Sequence, residues 1–175
     1  NNPGVNAGPA TPQGFDGIFG VNFLGAFMLT RLLLDLLRRG GGASAPAEAR
    51  VVNLSSVMHR AAQPCPEACA TAPPPGSRTA GLRTDTCYGD TKLYMNLFTL
   101  ELNRLEALRA PNGARRVVAA AANPGAVHSD IWRHVWAPAR RLVLDPAMRA
   151  LFLSTEQGCA TSVAAATLPS EALLP

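Results

Sequence analysis

A tyrosine and a lysine stand four residues apart, Tyr88 and Lys92, in the stretch CYGDTKLYMNLFTLEL (87–102). On a helix, residues at that spacing share a face and their side chains can meet. A free phenol titrates near 10, and a neighbouring ammonium favours its ionised form. A depression of about 2 to 3 pH units would bring the phenol into the range of acid–base work near neutrality, and the spacing predicts that Lys92 supplies it. Lys92 is the single lysine of the chain; all other positive side-chain charge is arginine. Taken alone, the pair also fits an ordinary contact on a solvated helix. Three further polar sites interrupt apolar stretches: Asn22 inside a helix-like run, Ser55-Ser56 after a strand-like run, and Asn123-Pro124-Gly125 after a second. Ser56 lacks the Gly-x-Ser-x-Gly elbow of a hydrolase nucleophile. Ser55 reads as a strand-end serine bonded to its own backbone.

Other chemistries find less support. Cys65, Cys69, Cys87 and Cys159 are too few and too irregular for a disulfide framework. Cys65-x3-Cys69 with Cys87 and His59 departs from the tight pairs of structural zinc sites, so no metal is expected. His59, His128 and His134 read as solvated loop histidines. The net charge of +4 comes without a dense basic stripe, which argues against nucleic acid as a partner. No uncharged apolar run reaches 18 residues, so no membrane span is expected. Two tryptophans and several arginines in SDIWRHVWAPARRLVL (129–144) fit either a peripheral membrane contact or a substrate-side helix.

The elements that must position these residues follow from periodicity. The chain has 175 residues, 47% hydrophobic and 16% charged, enough for one domain with a core. Residues 1–14 are turn formers. Apolar residues at helical spacing predict one helix from Phe15 to Arg39, closed by Gly40-Gly41-Gly42. RVVNLSSV (50–57) and ARRVVAAAANPG (114–125) read as buried strands, Tyr88 to about Arg109 as a helix, and STEQGCATSVAAATL as a final helix capped by Ser154 or Thr155. Residues 61–86 read as a long loop insertion. Alternating helices and apolar strands predict an α/β domain on a parallel sheet, with ligands at the carboxyl ends of its strands.

In this order the motifs resemble the short-chain dehydrogenase/reductase family. NNPGV (1–5) is similar to its Asn-Asn-Ala-Gly turn, GVNFLGAFMLTRLLLDLL (20–37) to its long central helix, and RVVNLSSVMHR (50–60) to its serine-bearing strand. YGDTK (88–92) matches its Tyr-x-x-x-Lys signature, and NPGAVHSDI (123–131) its Pro-Gly-x-Val-x-Thr segment. The phrases NFLGAFMLTRLLLDLL, VNLSSVMHR and STEQGCATS resemble the retinol dehydrogenase-like branch, which also holds protochlorophyllide reductase-like members. The resemblance implies a doubly wound Rossmann-type sheet spanning 1–175 as one partial NAD(P)-binding domain. The family's Gly-x-x-x-Gly-x-Gly turn and last strand have no counterpart, and the chain opens on Asn1 rather than methionine; both fit a piece of a longer protein.

The resemblance also implies roles. Tyr88 exchanges the proton of an alcohol or carbonyl, Lys92 supports it and holds the nicotinamide ribose, and Ser56 binds the substrate oxygen. Asn22 places a water that links Lys92 to solvent. Asn1, Asn2 and Gly4 line the adenosine side of the cofactor, and Pro124, Gly125, Val127 and Ser129 the nicotinamide side. The cofactor is NADP or NAD, with NADP favoured by the branch alone. The substrate is a small hydrophobic carbonyl or alcohol, and the location is intracellular. The rival reading is a catalytically silent scaffold that keeps the fold without the phosphate-binding turn; a membrane-associated interaction module is a weaker one.

Overall fold

The computed structural model describes residues 10–41, 48–63, 84–110, 116–128 and 151–173. Two strands lie at its centre. β1 (Ala49–Leu54) and β2 (Val117–Ala122) pair in parallel, from Ala49 opposite Val117 to Leu54 opposite Ala122. Side chains alternate faces along a strand, so Ala49, Val51 and Asn53 share a face with Val117 and Ala119. That face meets Leu34 of helix α1 (Gly17–Gly40) and Leu102 of helix α2 (Thr84–Arg109) in the main core. Arg50 has the other parity, and its Nη2 reaches the Leu168 carbonyl at 2.9 Å, just past helix α3 (Thr155–Thr167). Helices therefore lie on both faces of a parallel pair, the α/β layering that the alternation of elements predicts.

Helix α1 starts two residues later than its periodicity indicates. Asp16 caps it, its carboxylate accepting the Ile18 and Phe19 N–H groups at 2.9 and 3.0 Å. The helix is not uniform: Gly20–Leu24 form a π turn with Asn22 fully buried in it. Phe15, Phe19, Phe23 and Phe27 form a ladder of rings along α1, with neighbouring centroids 5.5 to 6.4 Å apart. Tyr94 and Phe98 of α2 pack against that ladder. Gly41 ends the helix, its N–H on the Leu37 carbonyl at 2.9 Å, and a Cβ there would collide with the Arg116 carbonyl.

By length and composition, α1 is apolar enough to cross a bilayer, with a mean hydropathy of 1.7 over its best window. This differs from the expectation drawn from uncharged runs, because Arg31 and Asp35 break every such run yet barely lower a window average. In the fold, Ile18, Asn22, Thr30 and Leu34 of this helix are buried, while Leu29, Leu32 and Leu36 are exposed.

Polar ties join the layers. Arg38 of α1 donates through Nη2 and Nε to Glu106 of α2 at 2.6 and 3.0 Å. Asn53 of β1 donates to Thr99 of α2 at 2.9 Å, and Thr99 donates on to the Met95 carbonyl at 2.8 Å.

Several boundaries differ from expectation. β1 ends at Leu54, after which the Ser55 N–H closes a last rung on the Ala122 carbonyl and a 3-10 turn covers Val57–Ala61. β2 starts only at Val117 and ends at Ala122, before the expected Pro-Gly turn. α2 begins at Thr84, so the last three residues of the 61–86 insertion are helical; residues 64–83 lie outside the described residues. Ser154 caps α3 in a full capping box with Gln157. The helix expected over 129–144, with His134, also lies outside the described residues.

Candidate active site

The parallel pairing brings Ser55-Ser56 and Asn123-Pro124-Gly125 out at the same carboxyl edge of the sheet. Ser56 is extended and caps the Val57–Ala61 turn, its Oγ accepting the Met58 N–H at 3.3 Å. The Ser56 side chain also hydrogen-bonds the phenol of Tyr88. One turn further along α2, Lys92 is 2% exposed. Its Nζ donates to the Leu54 carbonyl at 2.9 Å and lies 5.4 Å from the centroid of the Tyr88 ring. Ser56, Tyr88 and Lys92 therefore form one cluster around the end of β1.

The electrostatics of the pair correct the sequence expectation. Burial pushes the Tyr88 phenol above its usual range, and the Ser56 hydrogen bond offsets only part of that. The Lys92 ammonium, engaged by the Leu54 carbonyl and lying over the ring, does not offset that burial. Desolvation outweighs the attraction. Burial also lowers Lys92 to about 8. At neutral pH the cluster thus holds a neutral phenol beside a largely protonated lysine.

That shift carries a stability prediction. Below about pH 8, Lys92 is protonated both folded and unfolded, and folding carries its full desolvation penalty. From there up to the ordinary value of 10.5 the unfolded chain alone holds the proton, so stability rises with pH across this window. The penalty is about 3 kcal/mol, and the bond to Leu54 returns about 1 kcal/mol of it. Lys92→Met is expected to stabilise the chain by about 2 kcal/mol at pH 7, with the gain shrinking towards pH 10. Urea midpoints at the two pH values check this, and a loss of stability at pH 7 would contradict it.

Asn22 occupies the π turn of α1, next to Ile18 and Phe19, which pack against Tyr88 and Tyr94. An inserted residue widens the helix locally, a feature frequent at functional sites. Gly125 has φ +79° and donates to the Asn123 Oδ1 at 3.1 Å, making the bend that ends β2. Val127 forms a bridge with Leu153, and Gly158 of α3 packs so closely that a Cβ there would overlap its methyls. Val127 is thus tied to α3 and the segment that leads into it. Asn1, Asn2, Gly4 and Ser129 lie outside the described residues, as do Cys65 and Cys69. Among the described residues no group of three or more His, Cys, Asp or Glu side chains is placed to hold a metal.

Sequence reasoning missed three residues here. Ser55 does not bond its own backbone: its Oγ is buried without a partner among the described residues. It lines a groove of about 590 Å³ with Asn96, Thr99 and Asn123. Gly89 packs on the Met58 carbonyl, and Asp90, 4% exposed, accepts the Gln63 N–H at 2.7 Å. Their signal was a glycine and a carboxylate directly after Tyr88, where an exposed helix face would favour better helix formers.

The chain is 36% identical to human polyprenol dehydrogenase over 97% of its own length. It is 38% identical to mouse retinol dehydrogenase 12 over 93%, and 32% identical to human retinol dehydrogenase 14 over 97%. The chain belongs to the short-chain dehydrogenase/reductase family. It covers 48%, 45% and 46% of those three relatives, so it spans about half the length of the curated proteins it matches. No protein-family model matches the chain. All three relatives are named as dehydrogenases.

Proposed function

We propose that the chain is the catalytic portion of an NAD(P)-dependent oxidoreductase that interconverts a carbonyl and an alcohol on a small hydrophobic substrate. In this reading residues 1–175 form one partial domain of a doubly wound Rossmann-type fold, and the cofactor is NADP or NAD. The observation that carries the reading is the convergence of the Ser56 hydroxyl, the Tyr88 phenol and the Lys92 ammonium at the carboxyl end of β1.

Each group has a defined task. The Tyr88 phenol, kept neutral by burial, holds the proton that a carbonyl oxygen receives on reduction. Ser56 binds the same oxygen and stabilises its developing charge. Lys92 has three N–H donors, of which the Leu54 carbonyl takes one. The remaining donors fit the hydroxyls of a nicotinamide ribose, and the positive charge stabilises a transient phenolate. When bound, the dinucleotide supplies or accepts the hydride. Asn22, buried in the π turn, fits a group that positions a water for proton relay. Pro124 and Gly125 would shape the nicotinamide side through backbone contacts, with Val127 and Ser129 beyond them; Asn1, Asn2 and Gly4 would serve the adenosine side.

The names of the relatives motivate the first substrates: a retinoid and a polyprenol, each as alcohol and as aldehyde. The test is fluorescence titration with NADPH and NADH, followed by turnover of those four compounds. Saturable binding and turnover are expected. Failure to bind either dinucleotide would favour the scaffold reading. Lys92 adds a pH signature: dinucleotide affinity is expected to fall as pH rises through about 8, where the ammonium is lost. Lys92→Met should abolish that dependence.

A further inference from the structure

We propose that Gly89 and Asp90, the two residues after Tyr88, are positioning residues that hold the Ser56 hydroxyl against the Tyr88 phenol. This inference takes the importance of that contact from the oxidoreductase reading, but its geometry stands independently. Ser56 lies on a different element from Tyr88, and its place depends on how the Val57–Ala61 turn sits against α2.

Two contacts hold that turn from either end. Near its start, a Cβ at position 89 would lie 2.8 Å from the Met58 carbonyl oxygen, a separation that real Cβ atoms do not show. Only glycine allows the two backbones to approach this closely. Just past its end, the Asp90 Oδ1 accepts the Gln63 N–H at 2.7 Å, across 27 residues of sequence. A hydrogen bond to a carboxylate is among the stronger kinds, and Asp90 is 4% exposed, so water competes little for it. Met58 is also the residue whose N–H the Ser56 Oγ accepts. Moving Met58 therefore moves the Ser56 hydroxyl directly. Thr91 completes the spacer by donating its hydroxyl to the Tyr88 carbonyl at 2.7 Å. All three residues between Tyr88 and Lys92 are thus engaged with the site or its supports.

The experiment reads the titration of Tyr88, which needs no turnover. The chain has two tyrosines, so Tyr94→Phe leaves Tyr88 as the single phenol, observed by NMR of a 13Cζ-tyrosine label. Ser56→Ala is expected to raise its midpoint by about one pH unit, because a bond that favours the phenolate is lost. Asp90→Ala and Asp90→Asn carry the same charge, but only the asparagine keeps an acceptor for Gln63. Asp90→Ala is expected to titrate about one pH unit above Asp90→Asn when Ser56 is present, and together with it when Ser56 is alanine. Gln63→Pro removes the same bond from its donor side. Gln63 is exposed, and Ala62 before it has φ −62° and ψ 141°, which a following proline accepts. It should raise the midpoint as Asp90→Ala does, and only with Ser56 present. Equal midpoints for Asp90→Ala and Asp90→Asn, or a difference that persists without Ser56, would overturn the proposal. Absence of turnover in the parent chain would count against the oxidoreductase reading alone.

Discussion

Tyr88→Phe is expected to lower turnover by about a thousand-fold while leaving dinucleotide affinity unchanged. The substitution removes one oxygen and keeps the ring, so its packing against Ile18 is preserved. What disappears is the proton donor and the partner of the Ser56 hydroxyl. A group that acts in the transition state should lower kcat and kcat/KM together, with little change in ground-state binding. Burial contributes to the size of the effect. Ile18 and Lys92 lie against the ring, which leaves a replacing water less room than open solvent would. Steady-state kinetics with NADPH and a retinoid aldehyde, beside a binding titration, measure both halves. A variant that keeps its turnover would remove the enzymatic reading.

Arg38→Met is expected to destabilise the chain by about 3 kcal/mol. Glu106 is 3% exposed, and Arg38 meets it with two hydrogen bonds. Losing the guanidinium leaves a buried carboxylate with neither its counter-charge nor its donors, a situation that costs far more than losing a surface pair. The bond to Asp35 on the same arginine matters much less, because that carboxylate is largely in water. Glu106 holds Arg38 above its already high pKa, so the arginine stays charged at any accessible pH and no titration of it relieves the strain. Urea denaturation should show the loss. Arg38→Met combined with Glu106→Met should recover most of it, since the uncompensated charge is then gone. A single variant with unchanged stability would mean that the carboxylate is hydrated after all.

The consequence reaches the site. The Arg38–Glu106 pair and the phenylalanine ladder hold α1 to α2, and α1 carries Asn22 in its π turn while α2 carries Tyr88 and Lys92. The geometry of the cluster thus depends on contacts far along both helices.

Much of this was legible in the residues alone. Period-four phenylalanines announced α1, β-branched and alanine runs announced β1 and β2, and a cap at Ser154 or Thr155 announced the start of α3. These are local signals, and local backbone preference with side-chain periodicity is enough to produce them. The same order of motifs pointed to the family that the relatives share, and picked out Ser56, Tyr88 and Lys92. Tertiary structure decided what those residues are chemically. Spacing predicted an acidified phenol, whereas burial made it a weaker acid, and the ammonium is engaged by the Leu54 carbonyl. It also decided that Gly89 and Asp90 matter, that the Ser55 Oγ is buried without a partner among the described residues, and that Asn22 sits in a π turn. Desolvation and contact across distant segments depend on which surfaces the folded chain brings together, and no local pattern of residue types encodes that.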